Sequence, residues 1–362
     1  MVTSFLDWPV YGLGATDKRA RLDSLLNSLT KHHRDHCEPY ARILAARGYR
    51  VQTVAAAEDI PWLPVRLFKM YDLRSVTSNH IFKTLTSSGT TGQSPSRIAL
   101  DKSTAANQTT ALVRIMQEFL GKARLPMLII DHPGVIKDRS SFSARGAGIL
   151  GLANFGRGHV YALNDDMSLN INAVRNFCRQ YSGTPKLVFG FTFMIWQYFL
   201  HELEMLGETL NLTDSTLFHS GGWKKLEAIA VDNQEFKRRL RAACGAIRIH
   251  NFYGMVEQVG SVFVECEQGH LHAPAFADVI VRDPITWQVM PAHKPGVIQV
   301  LSALPQSYPG HSLLTEDLGT LLGEDDCSCG RRGRYFHVHG RMPRAEIRGC
   351  SDTQTTPTRA SK

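Results

Sequence analysis

Between residues 80 and 260 the chain repeats one pattern: a short apolar run, a break at glycine, then a stretch with helical apolar spacing. The runs "PMLIID" (126–131), "KLVFG" (186–190), "STLFHSGG" (215–222) and "AIRIHNFYG" (246–254) are bounded by proline or glycine. Continuous apolar runs of this length suit strands buried on both faces, and strands that alternate with helices join in parallel through crossovers. The pattern therefore predicts an α/β fold with a largely parallel sheet, whose ligands belong at the carboxyl ends of the strands. Three glycine-containing loops, at 87–92, 220–223 and 253–257, fall at such ends.

The flanks read differently. In the first eighty residues "DKRARLDSLLNSLTKHHRDHCEPYARILAARGY" has helical spacing and ends at a glycine. Its His32, His33, His36 and Cys37 form i,i+4 pairs, read as a wet helix face because no second ligand pair lies nearby in sequence. "RIALD" leads into the helix "STAANQTTALVRIMQEFL", with Ser103 or Thr104 as N-cap. After residue 260, "SVFVEC", "HLHAPAFADVIVRD", "GVIQVLSAL" and "RYFHVHGR" read as strands and turns without helices, predicting an antiparallel sheet or small barrel. The expected divisions are a helical N-terminal segment over residues 1–80, an α/β core over 81–260, a β-rich region over 261–341 and a short tail over 342–362.

Bulk properties exclude several classes. A chain of 362 residues buries a large core, and 43% hydrophobic with 20% charged residues is ordinary for a soluble protein. The most apolar segment, "LVFGFTFMIWQYFL" (187–200), is too short to span a bilayer. The start "MVTSFLDWPVYGLG" has neither a basic region nor a long apolar run, so no leader is expected. Seven cysteines, an odd number, argue for a reducing compartment, and cytoplasm is the simplest. The net charge of +8 suits an anionic ligand. The densest basic run, "KRRLR" (237–241), lacks interleaved aromatics and reads as a solvated helix face rather than a nucleic-acid surface.

The chemistry-bearing stretches begin with "SSGTTG", Ser87, Ser88, Gly89, Thr90, Thr91 and Gly92. Such a loop buries little, but its N–H and hydroxyl groups can wrap phosphate oxygens. No Gly-Lys-Ser/Thr follows, so it is not a Walker A loop, and a plain serine-threonine hairpin is the alternative. "SSGTTG", "FYGMVEQ", "TEDLG" and a late "GR" occur in the order found in adenylate-forming enzymes. With "IPWLPVRLFK", "DHPGVIKDRSSFSARGAGILG", "SGGWKK" and "RAEIRGCSDT", the chain most resembles the acyl-protein synthetase family of bacterial luminescence fatty-acid reductase complexes.

That resemblance implies roles. Ser87 to Gly92 would hold the β- and γ-phosphates of ATP, with Arg97 the nearest cation. Gly221, Gly222, Tyr253 and Gly254 match positions around adenine, and Asp317 matches the carboxylate that binds both ribose hydroxyls. Glu257 matches the ligand of Mg²⁺, a hard ion that favours carboxylate oxygen. Arg341 matches the hinge arginine near the ribose and α-phosphate. Most relatives continue into a mobile domain with a catalytic lysine; only 21 residues follow Arg341, so that domain is expected to be absent, with Lys224 or a partner protein compensating.

Cys266, His272, Cys327 and Cys329 suit a closed, tetrahedral Cys₃His zinc site of structural kind, with His270 a less favoured ligand. A similar set occurs in phenylacetate–CoA ligase-like members of the superfamily. Cys37, Cys178 and Cys244 lie in half-apolar helical contexts and read as buried bystanders. Cys350 sits beside Gly349 and Arg348, where a guanidinium favours the thiolate, and it matches the cysteine that carries the acyl thioester in the luminescence family. For the acid, "VFGFTFMIW" (188–196), including Gly190 and Phe191, either lines an apolar tunnel or packs as helix core. His132 stands at a strand end, placed to meet a carboxylate, and Arg145 offers a partner for an anion. The expectation is an ATP-dependent ligase that makes acyl-AMP from a fatty acid and passes the acyl group to Cys350, feeding an acyl reductase. An acid–CoA ligase and a non-catalytic acyl- or nucleotide-binding partner are the rivals.

Overall fold

The computed structural model describes residues 4–50, 55–87, 95–136 and 144–342. The strands are β1 (Leu63–Pro64), β2 (Lys83–Thr86), β3 (Arg97–Leu100), β4 (Leu125–Ile130), β5 (Gly156–Tyr161), β6 (Lys186–Phe191) and β7 (Ser215–Ser220). They continue as β8 (Arg248–Tyr253), β9 (Phe263–Glu265), β10 (Leu271–His272), β11 (Ala277–Arg282), β12 (Pro295–Ser302), β13 (Ser312–Glu324) and β14 (Arg334–Arg341). Twelve of them form one sheet in the order β11-β12-β13-β14-β10-β9-β8-β7-β6-β4-β5, with β1 added beside β13. β5, β4, β6, β7 and β8 run parallel. From the β8–β9 pair onward the main path is antiparallel.

The apolar runs fold this way because both faces of the parallel strands are covered. Met127 and Ile129 of β4, with Leu187 and Phe189 of β6, enter one hydrophobic cluster. Their alternate neighbours Leu128, Ile130 and Val188 enter another, beneath the helices Ile171–Gln180 and Asn233–Cys244. A period of two sends successive side chains to opposite cores.

Several local expectations are corrected. The first helical stretch is two helices, Ala15–His36 and Glu38–Ala46, because Cys37 turns extended (φ −133°) and Pro39 begins a new first turn. His33 is no wet residue. It is fully buried, with Nδ1 2.8 Å from Ser75 Oγ and Nε2 3.0 Å from the Pro305 carbonyl, and its ring stacks on His311. The helix Lys102–Leu120 is capped by Asp101, whose carboxylate accepts the Thr104 N–H at 2.7 Å, rather than by Ser103 or Thr104. The basic run is only partly solvated: Arg238 and Arg239 pair with Glu235 and Glu204, but Lys237 is buried against Glu265 at 2.8 Å. After β6 the helix winds as a π-helix over Ile195–Leu200, burying Ile195, Trp196, Phe199 and Leu200.

Candidate active site

In sequence the serine-threonine-glycine run links β2 to β3, an antiparallel pair whose last paired residues are Thr86 and Arg97. The neck is closed twice: the Ser87 N–H donates to the Ser96 carbonyl at 3.1 Å, and the Ser96 N–H donates to Ser87 Oγ at 2.8 Å. Ser88, Gly89, Thr90, Thr91 and Gly92 lie outside the described residues, as do Cys350 and the side chain of Lys224.

At the ends of the central strands the expected nucleotide residues converge. Tyr253, the last residue of β8, donates its hydroxyl to Asp317 Oδ2 at 2.6 Å. Asp317 pairs across the β13–β14 ladder with Arg341, whose Nε is 3.7 Å from Asp317 Oδ1 and whose Nη1 is 3.8 Å from Glu316. Glu257 is buried in the short turn after β8, and burial pushes its carboxyl up against the opposing pull of Ser96 and of the Arg341 charge. Burial likewise raises the Asp317 carboxyl and lifts the Tyr253 phenol well above its ordinary value. Buried acids in this state gain from cations and hydrogen-bond donors that stabilise the charged form. Gly221, at φ +84°, ends β7 in a conformation that L side chains rarely adopt.

The residues expected to face the acid form a second group. Phe191 is buried between two glycines: a Cβ on Gly148 would lie 3.0 Å from its ring and one on Gly221 3.3 Å away. Gly190 is equally tight, since a Cβ there would come within 2.9 Å of Ile130 and Ile195. His132 lies at the end of β4, where Arg145 Nη2 is 3.3 Å from its Nε2. Arg145 in turn pairs with Asp131 at 3.0 Å, both buried.

The cysteine and histidine donors also gather. Donor atoms of Cys266, His272, Cys327 and Cys329 all lie within 4.8 Å of one another. Cys266 Sγ is 3.9 Å from Cys327 Sγ, and Cys329 Sγ is 3.4 Å from His272 Nε2. Tetrahedral zinc with bonds of about 2.3 Å to sulfur and 2.0 Å to nitrogen sets edges of roughly 3.8 and 3.5 Å, so the donor set fits. Two matching turns present it. Gly269 donates to the Cys266 carbonyl and Gly330 to the Cys327 carbonyl, each at 3.0 Å, and both glycines have positive φ. The Gln268 and Arg331 N–H groups point at Cys266 and Cys329 sulfur. His270 is nearby, its Nδ1 3.4 Å from Cys327 Sγ, but His272 completes the set. Among the other thiols, Cys37 and Cys244 are buried and Cys178 half-buried.

Sequence reasoning missed Asp165, whose Oδ1 is 3.5 Å from His132 Nδ1. That contact joins residues far apart in sequence, and no local pattern signals it.

The mixed sheet is a fold shared with solved CoA ligases. A 2-hydroxyisobutyryl-CoA ligase solved in an open conformation with 2-HIB-AMP and CoA superposes with a TM-score of 0.69 at 17% identity, covering 91% of this chain and 76% of that one. The same ligase in its postadenylation state gives 0.70 at 16% identity, over 91% and 69% of the two chains. The family model described as "Acyl-protein synthetase, LuxE" matches residues 14–356, and the chain belongs to that family. It is accordingly an ATP-dependent ligase. A long-chain-fatty-acid–luciferin-component ligase of Vibrio harveyi is 22% identical over 349 residues, which cover 90% of this chain and 85% of that protein.

Proposed function

We propose that the chain activates a fatty acid on ATP and then loads it onto its own Cys350. In the first step a carboxylate oxygen attacks the α-phosphorus, forming the mixed anhydride and expelling pyrophosphate. Asp317 would hold the ribose hydroxyls, with Tyr253, Gly221, Gly222 and Gly254 around the adenine. Arg341 would face the α-phosphate, and Ser87 to Gly92 the outer phosphates. Mg²⁺, bound with ATP and held by Glu257, would neutralise charge on the phosphates. In the second step the Cys350 thiolate attacks the acyl carbonyl carbon and AMP leaves. The thioester then passes to a partner protein, an acyl reductase. His132, Gly190 and Phe191 would receive the acid. Zinc at Cys266, His272, Cys327 and Cys329 would be structural, since all four positions are filled by protein.

The observation that carries this reading is the meeting of Tyr253, Asp317 and Arg341, from β8, β13 and β14. A cytoplasmic setting agrees with six free cysteines among the described residues, where no helix is long and apolar enough to cross a membrane. The test is acid-dependent ATP–pyrophosphate exchange, followed by labelling with radioactive fatty acid. Exchange with hydroxylamine-labile label on the protein supports the two steps. Acyl-CoA formation without protein labelling would identify an acid–CoA ligase instead, and no exchange with any acid would end the reading.

A further inference from the structure

The buried pair Asp131–Arg145 stands next to the candidate acid site but is not needed to hold the nucleotide. Asp131 is 1% exposed and Arg145 7%. Asp131 Oδ2 meets Arg145 Nε at 3.0 Å, while Oδ1 accepts the His132 N–H at 2.8 Å. One carboxylate therefore fixes both the arginine and the backbone that carries the histidine. Arg145 then extends Nη2 to 3.3 Å from His132 Nε2, and its Nη1 rests 3.8 Å from Met194 Sδ.

This contact dictates a tautomer. A guanidinium only donates hydrogen bonds and keeps its charge, so the imidazole nitrogen facing it must offer a lone pair. The ring hydrogen is left on Nδ1. That atom faces Asp165 Oδ1 at 3.5 Å, a carboxylate on a side chain that is 75% exposed. Gly134 keeps the approach open, since a Cβ there would lie 2.9 Å from Nδ1 and 3.4 Å from the same Asp165 oxygen. A buried cation thus leaves the ring hydrogen on Nδ1, a buried atom without a hydrogen-bond partner, and an exposed carboxylate already stands beside it.

We propose that Arg145 is a positioning residue for acid activation: it holds His132 as an Nδ1–H donor for the substrate carboxylate, whose place Asp165 takes in the free protein. The idea rests on the adenylation reading above for the identity of the substrate, but not for the tautomer. The geometry favours a carboxylic acid that arrives as an anion and displaces one side-chain carboxylate.

Two measurements separate the tautomer from the substrate. In ¹⁵N-histidine NMR, with the His132 signals assigned by their loss in His132→Asn, wild type should show Nε2 unprotonated and Nδ1 protonated. Arg145→Met should shift His132 toward the Nε2–H form, whereas Arg145→Lys, which still donates, should keep the wild-type pattern. Because Arg145→Met leaves Asp131 buried without a partner, the double variant Asp131→Asn/Arg145→Met provides the same test if the single one does not fold. In ATP–pyrophosphate exchange, Arg145→Met should raise KM for the fatty acid roughly tenfold, the scale of one charge-assisted contact, with KM for ATP little changed. Arg145→Lys should recover most of that loss. Asp165→Asn should lower KM for the acid. Wild-type His132 protonated on Nε2, or an equal rise in both KM values, would overturn the proposal. If wild type shows no exchange at all, the substrate assignment falls, and the NMR spectra alone decide whether Arg145 sets the tautomer.

Discussion

Replacing Cys329 by serine should uncouple the metal centre with least collateral damage, because Cys329 is half-buried whereas Cys266 and Cys327 are buried. Its sulfur lies 3.4 Å from His272 Nε2 and 3.5 Å from the Arg331 amide, so a hydroxyl keeps a backbone partner but gives up the thiolate. Structural zinc contributes about 10–16 kcal/mol of binding free energy across four ligands, which makes one thiolate worth about 2.5–4 kcal/mol. For 362 residues the unfolding entropy is about 0.76 kcal/mol/K, so the melting temperature should fall by about 3–5 °C. Calorimetry alongside metal analysis tests this, with half-buried Cys178→Ser as the control. Wild type purified without chelator should hold about one zinc per chain. Zinc-free wild type, or a Cys329→Ser protein that melts with the control, would refute the assignment.

Glu257→Gln and Asp317→Ala should each reduce ATP–pyrophosphate exchange, the second mainly by weakening ATP binding by about 1–3 kcal/mol. Unchanged exchange in both would move the nucleotide elsewhere. Cys350→Ser should retain exchange but lose hydroxylamine-labile acyl label, since a hydroxyl without its own base is a poor nucleophile; persistent label would shift the acceptor to another thiol. Burial lowers the His311 pKa to about 3, so the unfolded chain binds the extra proton between pH 6.5 and 3. Stability should therefore fall on acidification through that window by about 1.4 kcal/mol per pH unit for this group. His311→Asn should flatten that slope in urea unfolding at pH 7.5 and 5.5, and an unaltered slope would remove His311 as the cause.

Four strands of the parallel half, β4, β6, β7 and β8, were legible because each lies in an apolar run bounded by proline or glycine, a local signal, whereas β5 (GRGHVY) is largely exposed and carries none. The Cys/His cluster was legible too, through residue type and the Cys-x-Cys spacing. Asp101 escaped as a cap because it also reads as the end of a strand. His33 escaped because its burial comes from Ser75 and the 305–311 segment, not from its own helix. The meeting of Tyr253 with Asp317 spans 64 positions, and the motif order signalled the residues but not their 2.6 Å contact. Arg145 could be noted as a cation near an anion site, whereas its hold on His132 depends on how the helix Ala144–Ala153 packs against β5 and β6.

β13 and β14 form a hairpin whose two ends do different work. Glu324 pairs with Arg334 near the turn that carries Cys327 and Cys329, and Asp317 pairs with Arg341 at the open mouth. Two register shifts lie between them, at Leu318/Gly319 and Leu321/Gly323. A ladder interrupted twice is poorly indexed by its own hydrogen bonds, and a slip of one residue sends every side chain to the opposite face. With zinc bound, that turn would be the zero mark of a ruler, fixing which residue of one strand counts as opposite which residue of the other. Asp317 pairs with Arg341 only while that count is kept.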